Sequence, residues 1–263
     1  MNLIALPAFS DNYIWMLHDG RQAIVVDPGD AAPVQSALDA NGLALAAILV
    51  THHHPDHVGG VDALRPRLQG PVHAPAHEVI PQPNVPLHDG DRIQVLGIEF
   101  EVFDVPGHTA GHIAYVERPR AGQPPATGAA PILFCGDTLF SAGCGRLFEG
   151  TPAQMHASLT RLAALPGQTQ VCCTHEYTEA NLRFAAAVEP ANTAVADHVR
   201  ACGALRAQGL PTLPSTVARE RAINPFLRCA EPDVIRAARA QGAANDSAVE
   251  VFAALREWKN RFR

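Results

Sequence analysis

The segment THHHPDH, at residues 51–57, places four histidines and one aspartate within six positions, directly after the apolar run at residues 45–50. Because side chains alternate along an extended strand, His52 and His54 are predicted to point the same way and His53 away from them. Loops beyond the carboxyl end of a strand are where α/β folds gather their ligands. The alternative is a polar surface loop with chance histidines, but crowded imidazoles would add no stability there. The segment therefore predicts a metal site.

Three further candidate ligands each follow an apolar strand: His108 in VPGHTAGH, Asp137 in FCGDTLF and His175 in VCCTHEY. Each alone is typical of a turn residue, but the repeated format indicates donors gathered at one edge of a sheet. Seven candidate ligands result, too many for one tetrahedral zinc ion, which takes four. They fit two adjacent ions with a bridging carboxylate. The seven are His52, His54, Asp56, His57, His108, Asp137 and His175.

Short strands and a few helices are predicted to position these donors, because β-branched or aromatic runs alternate with Gly, Pro, Asp and Asn. The predicted strands are residues 2–6, 13–17, 23–26, 46–50, 71–73, 98–103, 113–116, 132–135 and 170–173. The predicted helices are residues 32–40, 58–65 and 152–164, the last with Thr151 as N-cap. A Pro/Gly/Ala-rich stretch, residues 118–131, is predicted to be a long loop.

Strand patterns stop near residue 176, and helical patterns follow. The predicted helices there are residues 177–188, 193–208, 232–241 and 247–261. The last has Ser247 as N-cap and Glu250 three residues on, which is the signature of a capping box. We therefore predict two domains, a mixed α/β domain at residues 1–175 and a helical domain at residues 176–263.

Composition excludes several classes of function. With 20 Lys and Arg against 26 Asp and Glu, the net charge is −6, so no basic surface is available for nucleic acid. No apolar run is long enough to span a bilayer, and the apolar N-terminus lacks the basic region and cleavage site of a signal peptide. Six irregularly spaced cysteines suit a reducing compartment. We expect a cytoplasmic protein that binds neither nucleic acid nor membrane.

The motifs THHHPDH, GHTAGH and GDT, followed by a final histidine, resemble those of the metallo-β-lactamase superfamily. Four later segments are similar to those of one member family, the hydroxyacylglutathione hydrolases or glyoxalase II enzymes. They are GDTLFSAGCGRLFEGT at residues 136–151, THEYTEANLRFA at 174–185, NPFLR at 224–228 and LREWKNRF at 255–262. The resemblance implies an α/β fold, an αββα sandwich carrying the catalytic site, with a C-terminal α-helical domain that binds substrate.

The same resemblance implies a role for each donor. His52, His54 and His108 would hold one metal ion, and a second would be held by Asp56, His57 and His175. Asp137 would bridge the two ions, and His53 would bind neither. The implied cofactors are two divalent metal ions, zinc in the first place, with iron or manganese as alternatives.

The implied reaction is hydrolysis of S-(2-hydroxyacyl)glutathione, typically S-D-lactoylglutathione, by a hydroxide that bridges the metals, the second step of methylglyoxal detoxification. Asp56 would orient the hydroxide. The leaving thiol has a pKa of roughly 8.5–9, so no strong general acid is required. The nearest alternative is a persulfide dioxygenase, which uses one iron on the same fold. A lactonase, a nuclease and a catalytically silent metal-binding scaffold are more distant alternatives.

Cations should recognise the carboxylates of glutathione. Arg256 and Lys259 share a face of the last predicted helix. From the residues alone, they are better explained as a complement to the helix dipole. The resemblance implies instead that they grip the glycine carboxylate of glutathione, with Arg146 and Tyr177 as further contacts. Phe148 takes a position that is Tyr in some members of the family. The substrate is the one partner that we expect, and the protein is expected to be a monomer.

Two more residues could act on the site. Asp27, in VVDPGD, is either a carboxylate that steers a ligand imidazole or an ordinary turn residue, and the sequence leaves both possibilities open. Cys144 lies between two glycines but has no apparent activating base, so we do not expect a cysteine nucleophile.

Overall fold

The computed structural model describes residues 1–119 and 122–262. Within those residues, no helix is both long and apolar enough to cross a bilayer. The chain packs as two compact units. The first comprises Met1–Asp104, Ala110–Gly136 and Cys172–His175, and the second comprises Val105–Thr109, Asp137–Val171 and Glu176–Arg263. The predicted domain boundary at residue 175 stays a prediction.

A six-stranded sheet follows chain order from β1 to β6 in the first unit. Strands β1 to β3 are antiparallel, and β3 to β6 run parallel. The strands are β1 Asn2–Ala8, β2 Asn12–His18, β3 Gln22–Val26, β4 Ala44–Leu49, β5 Val72–Pro75 and β6 Val85–Leu87. Strand β2 is buried along its whole length, so its alternate side chains pack on both faces. Helix α1, Ala31–Asn41, connects β3 to β4; Asp30 caps its start, and Gly42 ends it at φ +62°.

The second sheet has the order β14-β13-β10-β9-β8-β7. Its strands are β7 Arg92–Val95, β8 Ile98–Asp104, β9 Ile113–Glu117, β10 Ile132–Gly136, β13 Gln170–Cys173 and β14 Ser215–Thr216. A two-residue hairpin pairs β11 Leu139–Phe140 with β12 Gly143–Cys144. Strands β9 and β10 are buried throughout. The carboxyl ends of β10 and β13 are each followed by a predicted ligand.

Helices dominate the second unit. They are α4 Pro152–Ala163, α5 Thr178–Val188, α6 Thr193–Arg206, α7 Val217–Ile223, α8 Pro232–Ala240 and α9 Ala248–Arg261. The predicted caps are confirmed: Thr151 and Gln154 form a reciprocal capping box, and the Ser247 side chain accepts from the Glu250 backbone. Phe184 stacks on Phe226 and contacts Trp258, so aromatic rings hold α5 and α9 together.

The predicted helix at residues 58–65 was wrong. The chain instead makes two short helices, α2 Pro55–Val58 and α3 Val61–Leu64, and a 3₁₀ turn at Arg65–Arg67. The glycines between them explain the break, because the chain passes directly against the Asp-Pro-Gly turn. A Cβ on Gly60 would lie 2.6 Å from Pro28 O, and the Gly60 N–H donates to that same oxygen at 2.9 Å.

The strands β6, β7, β11, β12 and β14 were not predicted. Strands β11, β12 and β14 have two residues each, too few for a pattern. The predicted loop at residues 118–131 includes Arg120 and Ala121, which lie outside the described residues. The Glu117 carboxylate, which directly precedes this loop, accepts from the backbone of Ala126 within it and of Ile132 just after it.

Candidate metal centre

The first donor pair lies at the end of β4. His52 Nε2 is 3.0 Å from His54 Nδ1, a distance at which two ring nitrogens can share one ligand. His52 Nδ1 lies 3.1 Å from the Thr51 hydroxyl, which fixes the far side of that ring. His52 is fully buried. The alternation predicted for this segment therefore brings His52 and His54 together.

The second cluster consists of Asp56, His57 and His175, whose ligand atoms all lie within 4.8 Å of one another. Asp56 Oδ2 is 3.6 Å from His57 Nε2 and 3.5 Å from His175 Nε2. His175 follows β13, 118 residues after His57 in the chain numbering. The packing of the first unit thus joins donors that are remote in sequence.

Carboxylates hold the far nitrogens of this cluster. Asp27 Oδ2 lies 3.0 Å from His57 Nδ1, and Asp11 Oδ1 lies 2.8 Å from His175 Nδ1. Each carboxylate leaves the Nε2 atom of its histidine directed at Asp56. Metal-binding histidines are commonly oriented in this way. Of the two possibilities for Asp27, the structure supports the steering carboxylate.

Asp27 is itself held firmly. Its two oxygens accept from the backbone N–H and the hydroxyl of Thr51, both at 2.7 Å. Its backbone has φ +52°, a left-handed conformation that is uncommon outside glycine. The strained turn therefore places one carboxylate between the start of the donor loop and His57.

Sequence reasoning missed Asp11 and Asn12, which lie in the turn before β2. Asn12 donates from Nδ2 to Asp56 Oδ2 at 3.0 Å, which fixes the carboxylate that faces both histidines. The only signal for these residues was the polar triplet SDN between two apolar strands. Such a triplet is ordinary in a turn, so nothing in its composition singled it out as part of a site.

His108 and Asp137 lie together in the second unit, with His108 Nε2 3.4 Å from Asp137 Oδ2. His108 Nδ1 donates to the carbonyl of Arg146 at 2.9 Å, so this ring too is oriented by an oxygen. The approach requires glycine at position 145, because a Cβ there would lie 1.9 Å from Asp137 O. Nε2 of His108 and the Asp137 carboxylate consequently face each other.

This donor set fits a metal ion. Four imidazoles have one ring nitrogen held by an oxygen and the other directed at a neighbouring donor: His52, His57, His108 and His175. The donors combine neutral nitrogen with carboxylate oxygen, a combination that suits zinc, iron and manganese. The Asp56, His57 and His175 cluster is thus suited to a metal site.

His53 differs from its neighbours, as the alternation predicted. Its Nδ1 lies 2.7 Å from the Glu78 carboxylate. It is in none of the candidate metal-ligand groups found among the described residues.

Cations gather in the second unit around α9. Arg256 is buried and donates from Nη1 to the Cys144 carbonyl at 2.9 Å. Lys259 donates from Nζ to the Ala180 carbonyl at 3.0 Å. Burial, together with the charges of Arg256 and Arg183, lowers the pKa of Lys259 to about 8. The Lys259 ammonium group therefore loses its proton more readily than an exposed lysine, and the cations beside it favour binding of an anion.

The other residues considered for substrate contact lie just after β12 or just before α5. Arg146 is exposed, and its charge also lowers the pKa of Lys259. Tyr177 is exposed, with its ring 5.4 Å from that of Phe140. Phe148 is exposed and places its ring 5.3 Å from the His108 imidazole. Burial raises the pKa of the Cys144 thiol, which agrees with the expectation that it is no nucleophile.

Comparison with known proteins decides the family. Residues 8–175 match the family described as the metallo-beta-lactamase superfamily, and residues 176–262 match the hydroxyacylglutathione hydrolase C-terminus. A protein of Albidiferax ferrireducens named hydroxyacylglutathione hydrolase is 58% identical over 262 residues, covering all of both chains. The chain belongs to the hydroxyacylglutathione hydrolase family. The αββα metallo-β-lactamase fold with a helical C-terminal region, as predicted, is confirmed.

The structure of this chain is also similar to solved structures of other proteins. ETHE1 from Myxococcus xanthus has a TM-score of 0.65 at 25% identity, and the match covers 97% of this chain and 90% of that one. TTHA1623, solved in a di-iron-bound form, has a TM-score of 0.57 at 26% identity, with 86% and 100% covered.

Proposed function

We propose that this chain hydrolyses S-(2-hydroxyacyl)glutathione thioesters, typically S-D-lactoylglutathione, to glutathione and a 2-hydroxy acid. This would be the second step of methylglyoxal detoxification. The observation that carries the proposal is the 58% identity, along the entire chain, with a protein named hydroxyacylglutathione hydrolase. The histidine–aspartate cluster supplies the chemistry that such a hydrolase needs.

We infer that two divalent metal ions bind this chain, zinc in the first place and iron or manganese as alternatives. His52, His54 and His108 are proposed for one ion, Asp56, His57 and His175 for the other, and Asp137 for the bridge. The oxygen-held imidazoles support this assignment, as does the di-iron form of the related TTHA1623. When bound, such ions lower the pKa of coordinated water to near 7 and polarise a carbonyl group.

The proposed catalytic aspartates are Asp56 and Asp137. Asp56 is held by Asn12 but keeps a side chain 39% exposed, so it can accept a proton from an incoming water. Asp137 is held against His108. Departure of a glutathione thiolate needs no strong general acid, since the thiol pKa is roughly 8.5–9. The proposed reaction therefore needs no further side chain to act as a general acid.

We propose a division of labour in which residues 1–175 carry catalysis and residues 176–263 bind substrate. Arg256 and Lys259 would bind the glycine carboxylate of glutathione, with Arg146 and Tyr177 as further contacts. Burial and then the charges of three arginines lower the pKa of Lys259, and this grouping of cations supports an anion-binding role. A persulfide dioxygenase remains the alternative function and is less supported.

We further infer a cytoplasmic monomer that binds neither nucleic acid nor membrane. The six cysteines are all buried and outside any disulfide, which suits a reducing compartment. The net charge of −6 disfavours binding to phosphate backbones and to anionic lipid.

The test combines metal analysis with a pair of substrates, S-D-lactoylglutathione and its analogue without the glycine residue. We expect about two metal ions per chain, loss of hydrolysis on chelation and recovery on adding metal back. The truncated thioester should show a raised KM, because it lacks the carboxylate that the cations would bind. Full activity without metal, or equal KM values, would contradict the proposal. One iron per chain with oxygen consumption on glutathione persulfide would favour the alternative.

A further inference from the structure

A buried carboxylate, Glu78, contacts the THHHPDH loop without being one of the proposed metal ligands. Its side chain is 2% exposed. Glu78 Oε2 accepts from the His53 backbone N–H at 2.5 Å and lies 2.7 Å from Nδ1 of the same residue. Because His53 stands between His52 and His54, this carboxylate holds the backbone from which both ligand side chains project.

The other oxygen of Glu78 contacts a second segment. Oε1 accepts from the backbone N–H of Gly111 at 3.2 Å. Gly111 lies in the turn after His108, three residues farther along the chain. A Cβ at position 111 would come within 2.6 Å of Glu78 Cγ and 2.8 Å of His77 O. Glycine is therefore the residue that allows this turn to approach the carboxylate.

His112 contacts the same loop beside this carboxylate. Its imidazole stacks on that of His52, with centroids 4.5 Å apart and planes at 21°. Gly111 and His112 are thus joined to the THHHPDH loop, the first by the Glu78 carboxylate and the second by ring stacking. Both contacts lie immediately beside proposed ligands.

We propose that Glu78 is a positioning residue for metal binding: one carboxylate fastens the THHHPDH loop to the turn after His108 and so pre-arranges His52 and His54. The inference rests on the metal site proposed above. Two hydrogen bonds from separate loops to one buried carboxylate restrict the backbone more than either alone. Residues that support metal ligands in this way commonly alter metal affinity roughly 10–100-fold when they are replaced.

The chain supplies a matched control in Glu117. This carboxylate is likewise buried and accepts two backbone hydrogen bonds, from Ala126 at 2.5 Å and Ile132 at 3.0 Å. Neither partner is adjacent to a proposed ligand. Replacing Glu117 therefore removes the same kind of contact and reports on stability alone.

The experiment measures Co²⁺ binding to the metal-free wild type and to Glu78→Ala, Glu78→Gln and Glu117→Ala, by competition with a chelating dye. We expect Glu78→Ala to bind Co²⁺ roughly 10–100-fold more weakly, with an altered visible spectrum of the bound ion. Glu78→Gln keeps the side-chain volume and one acceptor, so its loss should be smaller. Glu117→Ala should lose stability while its affinity changes by less than about twofold.

An unchanged Co²⁺ affinity and spectrum in both Glu78 variants would overturn the positioning role, as would an equal loss of affinity in Glu117→Ala. If Glu78→Ala does not fold, the folded Glu78→Gln variant decides the question by the same readouts. Failure of the wild type to bind Co²⁺ would instead contradict the metal site itself. The two failures are therefore distinguishable.

Discussion

In two histidines of the donor cluster, one ring nitrogen faces a carboxylate that orients the ring and the other faces a candidate metal ligand. In His57 and His175, Nδ1 faces a carboxylate that orients the ring, and Nε2 faces Asp56. A nearby carboxylate also favours the tautomer that carries its proton on Nδ1, so Nε2 keeps the lone pair that a cation needs. Orientation and ligand chemistry are therefore set by the same contact.

Lys259 should make substrate capture depend on pH. Its pKa is lowered to about 8, so its charge is lost as the pH rises through that value. Because a carboxylate is attracted only to the charged form, we expect KM for S-D-lactoylglutathione to rise between about pH 7 and pH 9. In Lys259→Arg the guanidinium stays charged throughout this range, so the rise should disappear. KM measured across this range in both proteins checks the prediction, and parallel profiles would count against it.

The lowered pKa of Lys259 also makes stability depend on pH. Stability should increase with pH, whereas substrate capture should weaken. In the unfolded chain its pKa returns to about 10.4, so between about pH 8 and pH 10 the unfolded state binds more protons than the folded state. This contribution to the free energy of unfolding therefore rises with pH. Lys259→Gln should remove it, which urea denaturation at both pH values would measure. If the free energy of unfolding changed with pH in the same way in the wild type and the variant, the pKa of Lys259 would not be lowered in the folded protein.

At the scale of elements, helix α7 supports the hairpin of β11 and β12. The fully buried Glu220 accepts from the Ser141 hydroxyl, the Ala142 backbone and the Ser215 hydroxyl. Asn224, at the end of α7, donates to the carbonyls of Phe140 and Gly143. The hairpin carries the segment whose carbonyls accept from Arg256 and His108. Helix α7 and its C-terminal end thus fix the backbone that accepts hydrogen bonds from Arg256 and His108.

Glu220→Ala is expected to destabilise the protein by at least about 3 kcal/mol, because several buried donors would lose their acceptor at about 1–3 kcal/mol each. Urea unfolding followed by circular dichroism measures the effect. Glu179→Ala on the exposed first turn of α5 is the control and should change stability by less than about 0.5 kcal/mol. A similar small change in Glu220→Ala would show that the network contributes little.

Local patterns predicted most elements, because strand composition and helix caps act over a few residues. The capped starts of α4 and α9 are examples. Contacts between residues that are distant in sequence could not be predicted from local patterns. Asp11 contacts His175, 164 positions away, and Glu78 contacts His53, 25 positions away. The donors themselves could be named because their type and clustering are unusual. The oxygens that orient them could not, because aspartate and threonine are common in turns.

At the scale of the whole molecule, metal binding should add to stability, since a ligand that binds only the folded state stabilises it by mass action. Metal at 100 times its Kd contributes about 2.7 kcal/mol per site, which for a protein of this size corresponds to roughly 5–10 °C in Tm for each ion bound. We expect chelation to lower Tm by that amount and added Zn²⁺ to restore it. In His175→Ala the chelation shift should shrink, and scanning calorimetry would reveal an unchanged shift if the site is elsewhere.

The pairing of Asp56 with His175 has a consequence for biosynthesis. His175 is synthesised 119 residues after Asp56 and 164 residues after Asp11, the carboxylate that orients it. Until β13 has been made, the cluster of Asp56, His57 and His175 therefore lacks one of its three donors. A metal ion that needs all three donors could therefore bind only after β13 has been synthesised and packed beside the THHHPDH loop.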